Sequence, residues 1–204
     1  HYDEGGVFYS SGPKGISATV HVKDEPDVVF TMKESSKEKG KFNDGYLLAR
    51  WGKELEEKYA SEIEKHLPEG ADYRLFLRSG VNTFDESMKD YTAEQFIQSN
   101  KDMLVELKVS IKVSNEPDVS QYSEAIFNLY NFIQSFETES YRLTVGFVDE
   151  EEDISEYLRT AFVNNVGYDN LNAKIYGVVS MDYRIKDLVN SANDVNEWYS
   201  SFEE

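Results

Sequence analysis

Val105-Glu106-Leu107-Lys108-Val109-Ser110-Ile111-Lys112-Val113 places an aliphatic residue at every odd position and a charged or hydroxyl residue at every even one. Side chains of a strand alternate between its two faces, so this stretch reads as a strand with one buried and one wet face. It lies inside a repeated pattern. Phe96-Ile97-Gln98-Ser99 precedes it, and Phe132-Ile133-Gln134-Ser135 precedes the next alternating run, with Tyr141, Leu143, Val145 and Phe147 on the apolar side.

Working outward, Tyr73, Leu75 and Leu77 alternate with Arg74, Phe76 and Arg78, and Ala173 to Ser180 forms the last expected strand. Between the strands, Leu48, Trp51, Leu55, Tyr59 and Ile63 recur at spacings of three and four, which predicts a helix capped by Asp44 and ended by Pro68-Glu69-Gly70. Thr92 caps a short helix. Further helices are expected over Tyr122 to Phe136, over Ile154 to Phe162, and from Ile185 to Phe202. Ahead of them, Ile16 to Lys23 and Val28 to Met32 read as a hairpin, followed by a charged loop from Glu34 to Asn43.

Strand and helix alternation normally signals a parallel sheet covered on both sides, whose strands are continuously apolar. Here Arg74, Arg78, Glu106, Lys108, Lys112, Arg142 and Thr144 occupy the second face. The expected fold is therefore an α+β, two-layer sandwich with a mixed or antiparallel sheet and helices on one face. A doubly wound α/β fold is the alternative. Residues 1–15 read as a flexible lead-in and 16–204 as a single domain. Pseudo-repeats over 16–100 and 101–204 are suggested by two echoes: Glu25-Pro26-Asp27-Val28 with Glu116-Pro117-Asp118-Val119, and Tyr73-Arg74-Leu75 with Tyr141-Arg142-Leu143.

The 204 residues carry 21 Lys and Arg against 39 Asp and Glu, a net charge of -18, which repels nucleic-acid backbones and anionic membranes. The expected partner is a protein, or a peptide or glycan ligand, with no nucleic acid; membrane attachment would come only through an N-terminal anchor since removed. With no cysteine, the chain has no disulfide, thiolate metal site or cysteine nucleophile. It opens on His1 rather than Met, and a polar start through Gly15 would suit a trimmed tether. These features lead to the expectation of an extracytoplasmic domain of a bacterial envelope lipoprotein, with a cytoplasmic location as the alternative.

Motifs of known chemistry are sparse. Glu106-Leu107-Lys108 near Asp85, Asp90 or Asp102 has the residue types of a metal-dependent nuclease, but its spacing is simply the strand period. Asp149 to Asp153 is read as a solvated run that caps the following helix rather than a calcium loop, because a central Gly and alternating ligands are missing. His1, His21 and His66 have no metal-ligand spacing, and Gly-x-Ser-x-Gly, phosphate-binding and dinucleotide motifs are absent. Tyr2, Phe8, Tyr9 and Tyr91 stand outside the apolar stripes as candidate exposed aromatics.

The expectation is a non-enzymatic interaction or ligand-binding domain without catalytic residues, cofactor or metal. Binding would use the charged sheet face or the Glu34 to Asn43 loop. An acidic mimic of nucleic acid and an enzyme of unknown chemistry are the alternatives.

Overall fold

The computed structural model describes residues 17–35, 38, 40–79 and 83–202. Strands β1 (Ser17–Val22), β2 (Glu25–Glu34) and β3 (Phe42–Asp44) form an antiparallel sheet in that order. Helix α1 (Tyr46–Glu64) leads to β4 (Asp72–Arg78), α2 (Ala93–Ser99) and β5 (Leu104–Val113). The chain continues with α3 (Ser123–Gln134), β6 (Ser140–Asp149), α4 (Ser155–Arg159), β7 (Ile175–Asp182) and β8 (Tyr199–Ser201). The five strands β4 to β8 lie side by side in chain order, and only β5 and β6 run parallel. The α+β sandwich with a mixed sheet is thus the architecture adopted, and the doubly wound alternative is not.

The apolar face does what its period predicts. Val105, Leu107, Val109 and Ile111 are buried in one core with Leu143, Val145 and Phe147 of β6, Val179 and Met181 of β7, and the inner stripes of the first three helices. Trp51 and Leu55 of α1, Phe96 of α2, and Ile126 and Ile133 of α3 meet there, all fully buried. The smaller sheet packs Val28 and Phe30 against Ala49, on the other side of α1.

Helix α1 also closes the outer edge of β4. Gly52 brings the helix so near the strand that an added Cβ would sit 3.3 Å from the Phe76 Cα. One turn on, Glu56 accepts the Leu75 backbone N–H at 2.9 Å and the Arg74 guanidinium at 2.5 Å. An edge N–H that could template another chain is thereby satisfied within the fold. Burial raises the Glu56 pKa, with Arg74 and the Leu75 N–H pulling the other way.

Local signals hold at several boundaries. Thr92 and Gln95 form a reciprocal capping box at α2. Asp44 accepts the Tyr46 N–H at 3.1 Å, although the capping position itself is Gly45. Of the two echoes, Tyr73-Arg74-Leu75 and Tyr141-Arg142-Leu143 both lie near the start of a strand, whereas Glu25-Pro26-Asp27 opens β2 and Glu116-Pro117-Asp118 leads into the 3-10 turn before α3.

Three expectations are corrected. The stretch from Ile185 contains 3-10 turns at 183–185 and 192–198 and ends in β8. Asp194 Oδ2 accepts the N–H groups of both Asn190 and Ser191, a local bond that competes with an α-helix. The helix expected over Ile154 to Phe162 stops at Arg159. There Asn164 Nδ2 donates to the Tyr157 carbonyl at 2.9 Å and turns the chain across the sheet.

The third concerns only the first residue of the run from Asp149, since Glu150, Glu151 and Asp153 are exposed. Asp149 ends β6 nearly buried and receives Lys174 Nζ at 2.9 Å and Tyr176 Oη at 2.7 Å, which hold its carboxyl down at about 2. Asp153 accepts the Ser155 N–H at the start of α4. Among the described residues, no helix is long and apolar enough to cross a membrane.

Candidate functional site

Strand register arranges the charged face in rows. Across β5, β6 and β7, Glu106 faces Arg142, which faces Asp182; one step along, Lys108 faces Thr144, which faces Ser180. This face is not open to water as expected. Glu106 is 4% exposed and Lys108 6%, beneath α4 and the chain that follows it. Five of the seven expected face residues, Arg78, Glu106, Lys108, Arg142 and Thr144, line one hollow of about 540 Å³. Its other wall comes from the covering segment, with Tyr157, Asn164, Tyr168 and Asp169.

The remaining two have structural ties elsewhere. Arg74 joins Glu56 to Asp27, with the latter at 2.9 Å, and so fastens the small sheet to the large one. Lys112 Nζ donates to the Glu152 backbone carbonyl.

Arg78 fastens the cover to the sheet. Its Nε donates to Glu106 Oε2 at 3.0 Å, while Nη2 and Nη1 reach the carbonyls of Ala161 at 2.9 Å and Phe162 at 3.1 Å. A planar guanidinium suits this division between a carboxylate and adjacent carbonyls. Glu106 is therefore committed to an ion pair. Tyr168 is the second fastening. Its hydroxyl donates to the Val109 carbonyl at 2.6 Å, and its ring lies over Gly146, where an added Cβ would meet the ring at 2.4 Å.

Lys108 stands between these fastenings. Its Nζ donates to Tyr157 Oη at 2.8 Å and lies 4.5 Å from the Tyr157 ring centroid and 5.8 Å from that of Tyr168. Tyr157 passes its own hydroxyl proton to the Val166 carbonyl at 2.9 Å. Burial lowers the Lys108 pKa to about 8; Glu106 opposes the shift, while Arg78 and Arg142 add to it. Burial also raises the Tyr157 and Tyr168 hydroxyls, so both stay protonated while the lysine titrates.

Arg142 differs from every other cation here. It stands between Glu106 and Asp182, yet Glu106 is taken by Arg78 and Asp182 by Arg184, through Nε at 3.0 and 2.9 Å. Among the described residues its half-buried guanidinium makes no hydrogen bond or ion pair. The residue borders this hollow and a smaller one of about 320 Å³ beside Asp102 and Tyr183, and its five donors are unused among the described residues.

A lysine depressed in the folded state costs stability at neutral pH. An unfolded chain holds a proton on Lys108 up to about 10.5, and the folded one releases it near 8. The unfolded state therefore binds more protons between those values, and this group makes stability rise with pH there. Lys108→Met is expected to raise stability at pH 7 on the order of 1 kcal/mol, since water at the mouth screens part of the penalty. It should also flatten the rise between about pH 8 and 10.5. Urea titrations of both proteins across that range test this; an equally steep rise in the variant would show that another group is responsible.

Other candidates are less developed. A hollow of about 910 Å³ includes Phe42 and Ser79, which flank stretches outside the described residues. His66 Nε2 lies 3.4 Å from Glu62, and His21 Nδ1 contacts the Val22 carbonyl. No group of three His, Asp or Glu residues capable of holding a metal is found among the described residues. Tyr91 is exposed, while Tyr2, Phe8 and Tyr9 lie outside the described residues.

The sheet half of this site follows from period-two alternation. Ser180 and Asp182 could have been added by extending that period through β7. Tyr157, Asn164 and Tyr168 could not, because only the path of the chain after α4 brings them over Lys108. Comparison with protein-family models, curated proteins and solved structures finds no match for this chain.

Proposed function

We propose that this chain is a non-enzymatic ligand-binding domain that holds a small polar molecule between the charged face of β5 to β7 and the segment after α4. The observation carrying this reading is the convergence of Lys108, Arg142 and Thr144 on a hollow of about 540 Å³, within the range of small-molecule sites. The lining favours binding over chemistry. Glu106 and Asp182 are engaged by arginines, and Tyr157 already donates its hydroxyl proton to a backbone carbonyl. The reading includes an extracytoplasmic setting in a bacterial envelope, with which a chain that has no thiol to oxidise is compatible.

The test is thermal stabilisation of the full chain by a panel of sugars, organic acids, amino acids and short peptides. It is repeated with Thr144→Trp, which fills the hollow. At least one compound should stabilise the native chain and lose its effect on the variant. Equal stabilisation of both proteins by every hit, or no hit, would overturn the proposal; recovery of the native cellular protein in the cytoplasmic fraction would remove the envelope setting.

A further inference from the structure

Resting on that reading, we infer that the ligand is a small hydroxylated monocarboxylate, of the sugar-acid class, whose carboxylate is gripped by Arg142. Three observations converge on this class. The first is the uncommitted guanidinium. A half-buried arginine facing a hollow without a partner matches a planar carboxylate, which can accept two parallel N–H bonds. Its cross-strand neighbours Glu106 and Asp182 do not fill that role, because each is drawn toward a different arginine.

The second is charge balance. The lining carries the cations Arg78, Lys108, Arg142 and Arg184 against the carboxylates Glu106, Asp169 and Asp182. Two cation–carboxylate pairs are internally closed, Arg78 with Glu106 and Arg184 with Asp182. What remains is Lys108 and Arg142 against Asp169, an excess of one positive charge in a protein of net charge -18. A single negative charge neutralises that excess. A phosphate dianion would overshoot it beside three carboxylates, in a setting where solvent screening is reduced.

The third is the remainder of the wall. Thr144, Ser180 and Ser200 supply hydroxyls that can exchange hydrogen bonds with those of a ligand. Tyr157, half-buried, adds ring surface against which a sugar ring can lie. Hydroxyls, a ring and a carboxylate grip together describe a polyhydroxy acid more closely than a fatty acid or a free inorganic anion.

The experiment compares three ligands on one ring. Galacturonate, galactose and galactose 1-phosphate are titrated calorimetrically into the full chain at pH 7, then into Arg142→Gln and Thr144→Trp. Galacturonate is expected to bind at least ten-fold more tightly than either relative. Arg142→Gln should lose ten-fold or more of that affinity while remaining folded, because Arg142 makes no hydrogen bond or ion pair among the described residues. Galactose binding as well as galacturonate would overturn the anionic class, and a galactose 1-phosphate preference would overturn the carboxylate. Unchanged affinity in Arg142→Gln would overturn the assigned grip. If none of the three binds but another compound from the panel is lost on Thr144→Trp, the sugar-acid inference fails and the ligand-binding reading survives. If no compound binds, both fail.

Discussion

Gly146→Ala is expected to destabilise the protein by about 3 kcal/mol, although alanine is ordinarily the better residue inside a strand. The new Cβ would stand 2.4 Å from the Tyr168 ring. The ring has little room to yield, because its hydroxyl is held by the Val109 carbonyl and its residue is 3% exposed. Backbone cannot yield readily either, since Gly146 lies in β6 between Ser110 of β5 and Val178 of β7.

Strain should be relieved by displacing Tyr168, and with it the cover over Lys108. The cycle with Tyr168→Ala distinguishes this from a general strand effect. Tyr168→Ala alone should also cost about 3 kcal/mol, and the double variant should fall short of the sum by about 2 kcal/mol. Urea unfolding of the four proteins supplies the comparison. Additive losses would show that the ring and the glycine do not meet.

Trp51→Ala is expected to have the largest effect in the main core, about 4 kcal/mol. The indole is 0% exposed and stacks on Phe96 with centroids 4.2 Å apart and planes 16° from parallel. Its Nε1 also donates to the Tyr91 carbonyl at 2.8 Å, just before the Thr92 cap of α2. One side chain therefore fills core volume and holds the chain entering α2 against α1. Trp51→Phe retains an aromatic ring but loses the hydrogen bond and part of the volume, so about half of the loss should be recovered. Urea midpoints measured at constant slope test this order. A loss below about 1 kcal/mol for Trp51→Ala would mean that α1 and α2 are held mainly by other contacts.

The strands were readable because burial on one face writes itself into alternation. Val105, Leu107, Val109 and Ile111 fall in the core as their period demands. The same alternation was misleading about the opposite face. Glu106 and Lys108 are as polar as an uncovered surface requires, yet they are almost inaccessible. Their burial is made tolerable by long-range partners: Arg78 for Glu106, and Tyr157 and Tyr168 for Lys108. Periodicity reports the polarity of a face, whereas exposure depends on what the rest of the chain places over it.

Helix boundaries divided in the same way. The Thr92 cap was readable because its partner Gln95 is three residues away. Apolar spacings of three and four after Ile185 did not specify a helix, because Asp194 ties the neighbouring backbone into 3-10 geometry.

By itself the sequence determined which residues share a strand face, which stripes enter the core, and that the sheet could not be a uniformly apolar parallel one. Tertiary structure alone decided the closure of the charged face, the engagement of Glu106 by Arg78, and the absence of a bonded partner for Arg142 among the described residues, whereas Asp182 is paired locally with Arg184. The physical reason is range. Alternation and capping are set by neighbours within a few residues, while a cavity is made by residues such as Lys108 and Tyr168, sixty positions apart in the chain, that meet only when it folds.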